Sequence, residues 1–274
     1  MQRRFYFGEM NVLENKGKKV QSVEKAMALL DCFWVGRKEY SLAELAAQTG
    51  WAKSTIHALL CSMLTNGTIE QDALSGKYRL GFHTFELGCV AQERWSVRPL
   101  AAQAMRKITE RTGEALYLGM RCMDEILLVE NSENYDNFKI SSPLGARMPM
   151  YGCSQGKVLL AQMTDAELEA YLKRTTFRTY TPYTIRDAAQ LKKELQMVRV
   201  QGFAVEYSEL RTGIKSVAAP IFEENGVCDY AISAVTIAKG SATGDNFQKL
   251  QEIVVQAAAE ITKELQAPSG WWGR

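Results

Sequence analysis

Ser41-Leu-Ala-Glu-Leu-Ala-Ala-Gln-Thr-Gly50-Trp-Ala-Lys-Ser-Thr-Ile-His-Ala-Leu-Leu60 decides how the first third of this 274-residue chain folds. Ser41 and Glu44 have the spacing of a capping box, in which a hydroxyl and a carboxylate take up orphan amide groups at a helix start. Leu42, Leu45 and Ala46 then recur on one helical face, and Gly50 can turn the chain without a Cβ penalty. A second helix carries Lys53, Ser54, Thr55 and His57 on its opening turns and directs Ile56, Leu59, Leu60 and Met63 inward. The pattern predicts a helix-turn-helix whose polar opening turns supply base and phosphate contacts.

Working outward, Asn66-Gly67 is a natural end for that second helix. Thr68-Ile-Glu-Gln-Asp, a turn at Leu74-Ser75-Gly76 and Lys77-Tyr-Arg-Leu then read as a short hairpin, a wing. Lys77 and Arg79 alternate with Tyr78 and Leu80, so one strand face can offer cations to a phosphate backbone while the other packs inward. Upstream, Ser22 opens a helix with Val23, Met27, Leu30 and Phe33 on one face. The candidate DNA contacts are therefore Ser41, Lys53, Ser54, Thr55 and His57, with Lys77, Tyr78 and Arg79 from the wing.

The length favours two domains. A hydrophobic content of 46% with 23% charged residues is that of a globular protein. The expectation is a cytoplasmic chain without a membrane span, because no apolar run reaches about 18 residues and the start lacks the apolar stretch of a signal peptide. The net charge of +2 hides a mild asymmetry: residues 1–98 hold 13 Lys and Arg against 10 Asp and Glu, and the remainder 20 against 21. That balance permits DNA binding by the first part. Cys32, Cys61, Cys89, Cys122, Cys153 and Cys228 form no Cys-x-x-Cys pair, and the histidines are His57 and His83. Neither a zinc site nor a disulfide framework follows from this spacing. No metal and no cofactor are expected.

Residues 1–19 predict a mobile arm, with Met10 an alternative start, followed by the DNA-binding unit over 20–81. Phe82, Phe85, Leu87, Val90 and Trp95 lie on a linker helix over 82–98, which Arg98-Pro99 should end or kink. A second domain over 99–266 opens with a helix to Thr112, stopped by Gly113, and precedes a tail over 267–274. Strands are predicted at Ala115–Met120, Ile126–Glu130, Phe138–Ser141, Phe203–Glu206, Lys215–Phe222 and Asp229–Ile237, the last two joined at Asn225-Gly226. Helices are predicted at Gln155–Met163, Asp165–Leu172, Asp187–Gln201 and from Asp245 to about Leu265. Helices segregated from hairpin-linked strands give an α+β domain with a mainly antiparallel sheet.

Taken together, Val20-Gln-Ser-Val-Glu-Lys-Ala, Ala52-Lys-Ser-Thr-Ile-His, Tyr78-Arg-Leu-Gly, Glu86-Leu-Gly, Gly156-Lys157, Thr184-Ile185, Gly202-Phe-Ala-Val-Glu206, Gly213 and Val217-Ala-Ala-Pro220 resemble the IclR family of bacterial transcription regulators. The resemblance implies a winged helix-turn-helix, a helical linker and a GAF-like effector-binding domain. It further implies a homodimer, or a dimer of dimers, on a double-stranded operator. A small organic acid would then modulate the repressor or activator function. Carried over by position, Leu144, Gln155, Gly156, Lys157, Glu206, Ser216 and Ser233 would line the effector pocket. Many members of that family have proline where Ala52 stands, arginine where Ala58 stands, cysteine where Ser216 stands and a small residue where Gln155 stands.

The residues themselves make such a pocket plausible. Gly156 near a helix start leaves amides open to an anion, which the helix dipole favours. Ser216 and Ser233 are in phase for the same sheet face. The same residues also fit a close-packing glycine and core hydroxyls, and Glu206 would repel an anion unless it met a ligand hydroxyl or a lysine. Two other functions stay open at this level: an enzyme with an amino-terminal interaction module, and a GAF-like sensor that acts on a protein partner. Against catalysis, the second half has no phosphate-binding loop, no Gly-x-Ser-x-Gly elbow and no histidine. Specific DNA binding separates a regulator from both.

Overall fold

The computed structural model describes residues 19–34, 38–93, 95, 97–133, 142–237 and 244–266. They fall into two compact units, one ending at Trp95 and the other running from Val97. The predicted arm, the predicted strand at Phe138–Ser141 and the tail over 267–274 lie outside the described residues, apart from Lys19.

The first unit contains α1 (Gln21–Asp31), α2 (Leu42–Thr49), α3 (Lys53–Leu64), β1 (Ile69–Gln71), β2 (Tyr78–Leu80) and α4 (Phe82–Gln92). The capping box is present: Ser41 N and Oγ donate to Glu44 Oε2 (2.8 and 2.9 Å), and Glu44 N donates back to Ser41 Oγ (3.3 Å). Gly50 closes α2 at φ 73°. Leu45, Ile56, Leu60, Met63, Ile69 and Tyr78 share one core with Leu29, Cys32 and Phe33 of the first helical segment.

The buried face of α1 differs from the sequence reading. Leu29 is buried, whereas Val23 and Met27 are each 53% exposed. Leu30 and Phe33 pack in the core as expected, but with Ala26 and Leu29 rather than Val23 and Met27; the series 23, 27, 30, 33 and the series 26, 29, 30, 33 both fit a 3.6-residue period, so periodicity alone does not choose between them. The hairpin pairs Ile69 with Leu80 and Gln71 with Tyr78. Tyr78 packs inward, but Leu80 is exposed.

The linker also departs from expectation. α4 ends at Gln92, and α5 (Val97–Thr112) begins anew with Pro99 in its first turn. A continuous helix would need an amide at position 99 to bond the carbonyl of Trp95, and proline has none; in a first turn that donor is not required.

The second unit adds β3 (Leu116–Cys122), β4 (Glu125–Ser132), β5 (Arg147–Pro149), α6 (Ser154–Gln162), α7 (Asp165–Arg174), α8 (Ala188–Gln201), β6 (Ala204–Tyr207), β7 (Ile214–Ile221), β8 (Tyr230–Ile237) and α9 (Gly244–Leu265). A 3-10 turn at Met150–Gly152 leads into α6. The six strands form an antiparallel sheet in the order β5-β4-β3-β8-β7-β6. The short β5 was not anticipated, since three residues carry too little alternation to read.

Ala204, Ala218, Ala231 and Ile126 pack beneath Val158, Leu159, Leu191 and Leu195, which places α6 and α8 on one face. Strand alternation sends Val217, Ala219 and Ile221 to the other face, where α9 packs on β7 and α5 packs on both α9 and β4. A smaller cluster of Ala115, Tyr117 and Leu128, with Met148 and Val235 against it, extends the core beside α6.

Candidate functional site

On α3, Lys53, Ser54 and His57 are exposed and Thr55 is half-buried, opposite the buried Ile56, Leu60 and Met63. Ala52 at the helix start provides no side-chain cap, so the first amides keep their donor capacity. Among the described residues Lys53 has no ion pair. Cys61 Sγ lies 3.6 Å from His57 Nδ1 on the same face.

The remaining DNA candidates are more committed. Ser41 serves the α2 cap, and Tyr78 is a core residue whose backbone also pairs with Tyr40. The burial of Tyr78 corrects its reading as a contact to the duplex. Arg79 is exposed but sits 3.2 Å from Glu70 and 3.6 Å from Glu39, so the wing's alternating cation is already compensated. Lys77 is half-buried.

In the second unit the sequence-derived pocket residues do not all converge. Leu144 lies at a turn and is 47% exposed. The others assemble around the start of α6 on the sheet face. Ser216 pairs across the ladder with Glu206 on one side and Val235 on the other, and Ser233 pairs with Ala218 and Tyr117, so Ser216 and Ser233 are diagonal neighbours on one face. Ser154 Oγ meets Ser216 Oγ at 2.9 Å, and Ser216 Oγ lies within donating distance of Glu206 Oε2 (3.1 Å). Glu206 Oε1 accepts the amides of Glu209 (2.6 Å) and Leu210 (3.3 Å).

Lys157 is one of the most buried side chains, with 1% exposure, and its charge is answered locally. Nζ donates to Glu209 Oε1 (2.5 Å), to Val205 O (3.1 Å) and to Glu194 Oε1 (3.4 Å). Burial pushes the carboxyls of Glu206 and Glu209 above the ordinary range, although hydrogen bonds and Lys157 pull the other way. Thr181 Oγ1 donates to Ser208 O (2.6 Å) and Thr184 Oγ1 to Glu209 O (2.6 Å), which pins the β6–β7 loop from outside.

Two residues have a structural explanation that the sequence concealed. A Cβ at Gly156 would stand 2.2 Å from both Met150 Cα and Met150 O, so this glycine permits the 3-10 turn to cross the helix. Its amide is taken by Cys153 Sγ (3.3 Å), which corrects the reading of Gly156 as an open anion donor. Gln155 Nε2 donates to Tyr117 O (3.0 Å) and Ala231 O (3.2 Å), and its side chain occupies the space that Gly119 leaves open. Ser154 and Glu209 belong to the cluster but were missed. Ser154 stands two residues before the glycine-lysine pair, and Glu209 stands three after Glu206.

The buried Cys153 thiol is pushed up to about 12 by burial. Among the described residues no group of three His, Cys, Asp or Glu side chains could hold a metal, and no helix is long and apolar enough to cross a membrane.

Comparison with known proteins agrees in both units. The IclR helix-turn-helix domain matches residues 22–73, and the C-terminal domain of the bacterial transcriptional regulator IclR matches residues 89–263. The chain is 31% identical over 252 residues to the HTH-type transcriptional regulator XynR of Escherichia coli, covering 91% of this chain and 99% of XynR. It is 30% identical to the HTH-type transcriptional regulator KipR of Bacillus subtilis, covering 92% and 99%. Among solved structures, Thermotoga maritima IclR superposes with a TM-score of 0.73 at 26% identity, covering 89% of this chain and 98% of that one. An IclR homolog from Microbacterium hydrocarbonoxydans, complexed with 4-hydroxybenzoate, shares the fold with a TM-score of 0.78 at 23% identity, covering 90% and 100%. These relatives are regulators rather than enzymes, and with a helix-turn-helix in one unit and a GAF-like α+β sheet in the other, the chain belongs to the IclR family of DNA-binding transcription regulators.

Proposed function

We propose that α3 lies in the major groove of an operator and that a small organic acid, held at the start of α6, alters operator binding or promoter activation. The DNA half rests on the outward face of α3. Lys53 supplies a phosphate contact, Ser54, Thr55 and His57 reach base edges, and the uncapped amides at the helix start favour a phosphate. Lys77 and Arg79 place the wing along the backbone, with Arg79 exchanging its glutamates for phosphate.

The observation that carries the effector half is the chain of buried polar groups from Ser154 through Ser216 to Glu206, with Ser233 beside it. Glu206 and Glu209 make this end of the site a place for ligand hydroxyls, not for a carboxylate. The acid group therefore points away from Glu206, toward the amides of Ser154 and Gln155 and the hydroxyl of Ser233.

The test is a thermal-shift series on the full chain with small hydroxy and aromatic acids. It begins with 4-hydroxybenzoate, the compound held by the Microbacterium homolog. A ligand that binds only the native state raises the midpoint by mass action. The expected result is a shift that Ser216→Ala and Ser233→Ala both reduce in a folded protein. A shift unaffected by either change would put the site elsewhere.

A further inference from the structure

α3 carries a second chemistry that the reading of DNA does not use. His57 and Cys61 stand one helical turn apart, and both side chains are exposed on the same face. Cys61 Sγ lies 3.6 Å from His57 Nδ1 and 3.8 Å from His57 Nε2, so whichever ring nitrogen carries no proton has the thiol within reach. The other five cysteines lack this combination. Burial pushes up the thiols of Cys32, Cys153 and Cys228, the last two to about 12. Cys122 is half-buried, and the Arg147 guanidinium 3.4 Å from it is shared with Glu125. Cys89 is exposed, but among the described residues no base lies within hydrogen-bonding distance of it.

We propose that Cys61 is a site of thiol–disulfide exchange, with His57 as its base and a small anionic disulfide as its reaction partner. The Cys61 sulfur attacks one sulfur of the disulfide while the thiol proton passes to His57. The disulfide S–S bond breaks, its second sulfur leaves with the electron pair, and His57 returns the proton to it. Cys61 is thereby oxidised to a mixed disulfide and the reagent is reduced to one thiol. Lys53 stands one turn before His57 on the same exposed stripe and has no ion pair among the described residues, so it draws an anionic reagent to this face.

An adduct at Cys61 conflicts with the place of α3 in a duplex. A helix with its side chains is about 10 to 12 Å across and the major groove about 12 Å wide, which leaves no room for an added group on that face. The carboxylates of the adduct would also meet the phosphates. This consequence, unlike the reactivity of Cys61, rests on the reading of α3 as the operator-binding helix.

The test treats the reduced full-length protein with glutathione disulfide and follows each cysteine by mass spectrometry after an alkylating quench. Cys61 should react at least about tenfold faster than Cys89, and His57→Gln, shown by circular dichroism to be folded, should bring it down to the Cys89 rate. Fluorescence anisotropy on a duplex selected from a random pool reads the consequence. The Cys61 adduct should bind at least about tenfold more weakly and regain its affinity with dithiothreitol, and bound duplex should slow its formation. The same treatment should leave Cys61→Ser at its own untreated affinity. Equal rates at Cys61 and Cys89, faster reaction at Cys122, or a Cys61 rate unmoved in folded His57→Gln would overturn the site. An adduct that binds the duplex as tightly as the reduced protein would overturn its effect on DNA. A reduced wild type that binds no duplex would refute the operator reading alone, because the exchange rates decide the site without DNA.

Discussion

At the residue scale, Gly156 and Lys157 show how much a motif conceals. The pair was visible in the sequence, but the backbone that Gly156 accommodates belongs to Met150, and only the 3-10 turn brings it close. Gly156→Ala should therefore destabilise strongly, beyond the roughly 1 to 3 kcal/mol usual for overpacking, because backbone must move. A wild-type thermal midpoint in that variant would refute this packing role. Lys157→Met leaves Glu209 buried without its cation and should cost about 3 to 5 kcal/mol, read by denaturant unfolding.

The raised carboxyls also predict a pH dependence. A carboxyl whose folded pKa is raised binds its proton more tightly in the folded state. Its contribution thus favours the fold at low pH and is lost as pH rises from the ordinary glutamate value, about 4.3, through the folded value. Glu206→Gln should flatten that decline above the ordinary glutamate value, measured as the urea midpoint against pH. An unchanged slope would show that Glu206 is not its source.

At the scale of elements, local chemistry was the most legible. The α2 cap, the Gly50 break, the wing and the helix over 188–201 follow from short-range rules. What could not be read depended on partners. α1 has two apolar faces of similar periodicity, and only the position of the core decides that Leu29 lies inside and Met27 outside. Likewise Ser154 and Glu209 are ordinary polar residues until the sheet aligns Ser216 and Glu206 beside them.

α4 is the element with the most to prove, since Phe82, Phe85, Leu87 and Val90 are all more than half exposed. We propose that this apolar face is the contact of the homodimer that the family resemblance implies, and that it responds to charge. Phe85→Glu combined with Val90→Glu should shift sedimentation at micromolar concentration from dimer to monomer and weaken operator binding through lost effective concentration. A monomeric wild type, free and on DNA, would remove α4 from that role. Ala52, whose φ of −61° already suits proline, offers a stabilising counterpart. Ala52→Pro should raise stability by about 0.4 to 1 kcal/mol by restricting the unfolded chain.

At the scale of the whole molecule, the family, the helix-turn-helix and the antiparallel second unit were legible because they arise from ordered local words. The ligand was not, since a pocket is a property of side chains that meet across distant strands. The central claim is that α3 reads a specific operator and that Lys53 contributes mainly through phosphate. Fluorescence anisotropy tests it most directly, comparing a duplex selected from a random pool with its scrambled counterpart over a range of salt. Binding to the selected duplex should be at least about a thousandfold tighter at physiological salt. Lys53→Ala should weaken binding to both and reduce the salt slope by about one, whereas Thr55→Ala should cost about 1 to 3 kcal/mol on the selected duplex alone. Equal affinity for the two duplexes, or Lys53→Ala and Thr55→Ala proteins that both keep wild-type affinity and salt slope, would contradict the account.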